Sequence, residues 1–113
     1  MKFVALAAIV AALAVPSAWA STPTLTGTVG PGFTITLKQG TVKVSKLKAG
    51  KYVIKIADKS NIHNFHLKGP GLDKKTGVGA KGNFTWTVTL KKGKYTFVCD
   101  PHSSFMKGSF TVS

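Results

Sequence analysis

The chain has 113 residues with sixteen lysines, no arginine and three acids, all of them Asp, for a formal net charge of +13. That length fits one domain, and the absence of arginine removes the bidentate contacts by which many proteins grip phosphates and base edges. A single cysteine, Cys99, excludes an internal disulfide.

Lys2 is followed by thirteen apolar residues, Phe3 to Val15, then by Pro16, Ser17 and the small-x-small triplet Ala18-Trp19-Ala20. This order reads as a secretory leader, residues 1–20, cleaved after Ala20. The apolar run falls short of the roughly 20 residues a membrane span needs. The expected product is one exported domain, residues 21–113, with fifteen lysines against three aspartates, or +12. Exported domains this small commonly lean on disulfides or a metal, and with one cysteine only the metal remains.

From Ser21 onward the pattern is one of strands. Leu25 to Val29, Phe33 to Leu37, Val42 to Leu47 and Tyr52 to Ile56 alternate or cluster apolar residues between Gly-, Pro- and Lys-rich breaks. Ile62 to Leu67 is expected as a further strand, ended by Gly69-Pro70-Gly71, and Leu72 to Gly82 as a polar, glycine-rich loop. Phe84 to Leu90 alternates most strongly, Tyr95 to Cys99 returns from it, and Lys107 to Val112 closes the chain. Leu47-Lys-Ala-Gly-Lys-Tyr52 echoes Leu90-Lys-Lys-Gly-Lys-Tyr95, two similar strand entries rather than a solenoid repeat. About eight short strands at this spacing predict an all-β Greek-key sandwich or barrel. Many lysines alternate with apolar residues, which suits solvated sheet faces and protected edges.

Chemistry concentrates in Cys99-Asp-Pro-His102-Ser-Ser-Phe-Met106, where a thiol, an imidazole and a thioether fall within eight residues between two strands. A thiolate, two imidazoles and a weak thioether form the ligand set of a trigonal copper site. Zinc prefers four stronger donors. The second imidazole must come from Ile62-His63-Asn64-Phe65-His66. On a strand, His63 shares the more apolar face with Phe65 and Leu67, whereas His66 shares the other with Ile62 and Asn64. His63 is therefore the expected ligand, beside Cys99, His102 and Met106.

These motifs resemble the cupredoxins, the blue copper family of plastocyanin, amicyanin and azurin. Cys99-x-Pro-His102 is similar to the plastocyanin and amicyanin ligand loop, and His102-Ser-x-x-Met106-Lys-Gly to the azurin ending. His63-Asn64 after an apolar strand, and Leu-x-x-Gly-x-Tyr-x-Phe-x-Cys over 90–99, are also similar to the family. The resemblance covers residues 62–67 and 90–112; the N-terminal half shares only the strand pattern. Two residues separate Cys99 from His102 and three separate His102 from Met106. Plastocyanins usually carry one more residue in the second gap and amicyanins one fewer, while azurins match it but lengthen the first.

The resemblance implies one copper ion cycling between Cu(I) and Cu(II). Cys99 would bind as thiolate, His63 and His102 as neutral imidazoles, and Met106 as a weak axial ligand. Asn64 would bond the Cys99 sulfur and hold the two ligand segments together, with Asp100 as a further partner. The function it implies is a soluble, monomeric one-electron carrier rather than an enzyme, exported to the periplasm or beyond. Its partner would be a redox protein with an acidic surface, and neither nucleic acid nor a membrane span is expected. The alternatives are an extracytoplasmic copper-delivery protein, which a single Met after the leader disfavours, and a metal-free module, which the complete ligand set disfavours.

Overall fold

A computed structural model describes residues 21–113; the expected leader and its boundary lie outside the described residues. The described residues form ten strands in two five-stranded sheets. The first sheet runs β3 (Val42–Lys43), β2 (Ile35–Gln39), β1 (Thr24–Val29), β5 (Gly50–Asp58), β8 (Gly82–Leu90). The second runs β4 (Lys46–Leu47), β10 (Lys107–Val112), β9 (Gly93–Val98), β6 (His66–Gly69), β7 (Leu72–Lys75). Neighbours are antiparallel except β1 with β5 and β4 with β10. This is the all-β sandwich expected from the alternation, with the region 42–47 split into two short strands.

Alternation decides which side chains meet between the sheets. In β5, Tyr52, Ile54, Ile56 and Asp58 turn inward while Lys51 and Lys55 face water. β8 puts its threonines outward and Val88 and Leu90 inward. Against them the second sheet sets Leu67, Tyr95, Phe97, Phe110 and Val112, all buried. Phe65 stacks on Phe97 at 5.7 Å and Tyr95 on Phe110 at 5.3 Å between ring centroids. Each large apolar side chain buried in this way contributes roughly 1.5–3 kcal/mol.

Two sequence expectations need correction. The strand expected over Ile62–Leu67 begins only at His66, so His63, Asn64 and Phe65 lie in the extended segment before it. His63, Asn64 and Phe65 are buried in succession there, and burial alternates only from His66, partly buried, to Leu67, buried. The stretch expected as a loop from Leu72 opens instead with β7, which pairs His66 with Lys75 and Lys68 with Asp73. β7 is an edge strand, so its outer residues need not be apolar.

Register also decides where the loops gather. Val29 pairs with Asp58, Asp58 with Gly82, His66 with both Lys75 and Val98, and Val98 with Lys107. Loops 30–34, 59–65, 76–81 and 99–106 therefore all emerge at one end of the sandwich.

Candidate metal centre

Cys99 lies where β9 leaves the core, fully buried. The chain then makes a single 3-10 turn, Asp100–His102, in which the His102 N–H reaches the Cys99 carbonyl at 3.0 Å. Pro101 occupies the start of that turn, where its missing N–H is not needed. The Met106 N–H returns to the His102 carbonyl at 2.8 Å and the Cys99 N–H reaches the Met106 carbonyl at 3.0 Å. These bonds close the loop on itself and bury Met106 beside Cys99 and His102.

His63 arrives from the opposite side through a chain of local bonds. The Ser60 N–H donates to Asp58 Oδ1 at 3.1 Å, and the Ile62 N–H to Ser60 Oγ at 3.2 Å. These side-chain-to-backbone bonds shape the turn ahead of the imidazole. Asp58 Oδ2 is left without a partner in the core. Burial pushes the Asp58 carboxyl above its ordinary range, against the Ser60 bond and nearby His63, which pull it down.

The structure brings three donors together. His63 Nδ1 and His102 Nδ1 stand 3.2 Å apart, and each is 3.6 Å from Cys99 Sγ. A point equidistant from the corners of this triangle lies about 2.0 Å from each. That matches metal–imidazole bonds of about 2.0–2.1 Å and falls a little short of metal–thiolate bonds of about 2.3 Å. His63 Nε2–H donates to the Gly32 carbonyl at 3.0 Å, so in the neutral ring Nδ1 keeps its lone pair, pointed at the thiol. The donor set fits a soft-ligand transition metal, and copper is the metal expected of it. His66 stands apart from this group, between Asp73 and Asp100.

Asn64 ties the two segments together, though not through the sulfur as the sequence suggested. Its Oδ1 accepts the Asp100 N–H at 2.7 Å, and its Nδ2 donates to Asp100 Oδ2 at 2.8 Å and to the Thr76 carbonyl at 3.1 Å. Thr76 Oγ1 in turn accepts the Phe65 N–H at 2.9 Å. Sequence reasoning missed Thr76, Gly32 and Phe33. Phe33, 57% exposed, sets its ring edge-on to His63 at 5.3 Å and to His102 at 5.0 Å, and lies 6.0 Å from Phe105, itself 59% exposed. Gly30 holds a φ of +75°, and a Cβ there would stand 3.2 Å from the His63 ring and 3.0 Å from Ser60. The Gly30-Pro31-Gly32 run signalled a turn, but nothing in it signalled that the turn lies over the imidazoles.

Among solved structures the chain is similar to the copper protein rusticyanin, with a TM-score of 0.62 and 20% identity over 83% of this chain and 79% of that one. Rusticyanin from Thiobacillus ferrooxidans matches at 0.58 and 21% over the same shares. A reduced tryptophan-to-tyrosine variant of amicyanin matches at 0.51 and 15%, over 86% of this chain and 89% of that one. At these identities the likeness is one of fold. No curated protein matches the chain in sequence. The family profile described as the cupredoxin-like domain matches residues 3–112. With the sandwich and the His-Cys-His triangle beside that match, the chain belongs to the cupredoxin-like domain family.

Proposed function

We propose that this protein is a type 1 copper protein that carries single electrons, exported to the periplasm or beyond behind the leader 1–20. The observation that carries the reading is the triangle of one thiol and two imidazole nitrogens at 3.2, 3.6 and 3.6 Å. His63, Cys99 and His102 would hold the copper, with Met106, buried in the same loop, as a weaker fourth donor. Bound copper would supply a one-electron couple between Cu(I) and Cu(II).

The chain's own part is to hold the donors still. Cys99 is anchored by the last strand pairs of β9, His63 by the Gly32 carbonyl, and both segments by Asn64. Fixed donors leave little reorganisation to accompany electron transfer. Phe33, Phe105 and Pro101 surround the partly exposed edge of His102 and form a low-charge contact for a redox partner. The excess of lysine over aspartate favours a partner with an acidic surface. Among the described residues no helix is long and apolar enough to cross a membrane.

The test is the visible spectrum after Cu(II) loading. The parent protein and His66→Ala should show an intense thiolate-to-copper band, which Cys99→Ser and His63→Ala should lose. A colourless parent, or a band that survives Cys99→Ser, would sink the reading.

A further inference from the structure

The described residues hold fifteen lysines and three carboxylates, yet two of the three carboxylates converge on one imidazole rather than on a lysine. Asp73 Oδ1 lies 2.6 Å from His66 Nε2, and Asp100 Oδ1 lies 2.8 Å from His66 Nδ1. An ionised carboxylate only accepts hydrogen bonds, so the ring N–H groups are the donors of this bridge. The His66 side chain is 12% exposed and Asp73 65%. This bridge spans three elements: β7 through Asp73, β6 through His66, and the 3-10 turn after Cys99 through Asp100.

Asp100 is the junction. One of its oxygens takes His66 and the other takes Asn64, so its carboxylate is held at both ends. Asp100 follows Cys99, and Asn64 follows His63. Each of two donors in the triangle therefore has its next residue in the same network. We propose that His66 is a positioning residue, a strut that braces the Cys99–Met106 loop against the β6–β7 hairpin and sets the charge beside the thiol. It acts through Asp100 and touches none of the three donors. The carboxyl groups register the contact. His66's hydrogen bond holds Asp73 below its ordinary range. Burial pushes Asp100 up, but bonds from His66 and Asn64 outweigh it and leave the group below its ordinary range. Lys75, paired across from His66, and Lys68 are the other charges close to the cluster.

Removing the ring has two consequences. Asp100 loses one of its two anchors, so the loop opens more often. A hydrogen-bond donor also disappears from the Asp100 carboxylate, and the less screened negative charge beside the thiol favours the more positive, oxidised metal. The second consequence rests on the copper reading; the first does not.

The experiment combines amide hydrogen exchange on the metal-free protein with the reduction potential of the copper-loaded protein, for the parent, His66→Phe, Asp73→Asn and the double variant. In His66→Phe the amides of Asp100, His102 and Met106 should exchange about tenfold faster, and the potential should fall while the visible band remains. Asp73→Asn, on an exposed side chain that leaves the core intact, should speed the same exchange by less, and because it removes a negative charge it should not lower the potential. It should add nothing to the exchange once His66 is gone, since that effect passes through the ring. Unchanged exchange in Asp73→Asn and His66→Phe, a potential that does not fall in His66→Phe, or additive exchange effects in the double variant overturn the proposal. Should His66→Phe fail to fold, Asp73→Asn decides alone. A parent that binds no copper removes the potential measurement and the copper reading together, and the exchange measurement still decides the strut.

Discussion

Replacing Asn64 by Ala should be among the costlier single changes in this domain, because one side chain serves three partners. Two are backbone groups, the Asp100 N–H at 2.7 Å and the Thr76 carbonyl at 3.1 Å, and the third is the Asp100 carboxylate at 2.8 Å. Thr76 is buried and the Asp100 N–H partly so, so the Thr76 carbonyl loses its partner where water enters poorly and the Asp100 N–H at somewhat lower cost. Each orphaned buried group costs about 1–3 kcal/mol. The carboxylate is partly exposed and can recover hydration, so it adds little. The expected loss is roughly 2–5 kcal/mol, against a total of about 5–15 kcal/mol for a typical domain. At this size that corresponds to a fall in Tm of about 8–40 °C. Urea unfolding of the metal-free protein measures it without any contribution from copper. Asn64→Asp keeps an acceptor for the Asp100 N–H but loses the donor and faces a second carboxylate, so it should also lose stability at neutral pH and regain part of it in acid. A loss below about 1 kcal/mol for Asn64→Ala, with the m-value unchanged, would refute the clasp as the link between the two segments.

Gly30→Ala places a side chain at positive φ against His63 and Ser60; it should cost about 1–2 kcal/mol in unfolding measurements and change the spectrum of the loaded protein. Asp58 and Asp73 should respond to pH with opposite sign. The folded protein holds the Asp58 proton more tightly than the unfolded chain, so Asp58's contribution is fully present below the unfolded pKa of about 3.9 and is lost as pH rises through the folded value. Asp58→Asn should therefore gain stability relative to the parent between about pH 4 and pH 7. The Asp73 carboxyl is held low, so its contribution is present above the unfolded pKa and lost as pH falls through the folded value; Asp73→Asn should be the weaker protein at neutral pH and draw level with the parent in acid. Electron transfer to an acidic partner should slow as salt rises past 0.1 M, where the Debye length is about 10 Å. A rate indifferent to salt would exclude steering by the lysines.

Much of the site was legible because its donors are local in sequence. Cys99, His102 and Met106 sit in one loop bounded by two alternating strands, so their proximity follows from chain length alone. The choice of His63 over His66 followed from the alternation of side chains, although the strand supposed to carry it starts three residues later. What stayed hidden depends on register. Leu72-Asp73-Lys74-Lys75 has no apolar alternation, since an edge strand with two wet sides needs none, and β7 was read as loop. Without β7 paired to β6, nothing could set Asp73 against His66, and without β6 paired to β9, nothing could set Asp100 there. Phe33 was read as the first residue of a strand; it precedes β2, in a turn whose path over the imidazoles depends on contacts thirty and seventy residues away.

Of the three donors, Cys99 and His63 are walled off entirely, and His102 alone reaches the surface, under Phe33 and beside Phe105. Among the described residues the triangle therefore has one doorway to the surface, past His102 and the Phe33 ring. In the proposed carrier an electron leaves by that same doorway. A partner seated on Phe33 and Phe105 to receive the electron would at the same time bar it to the metal, so the protein should surrender its copper most slowly while it is at work.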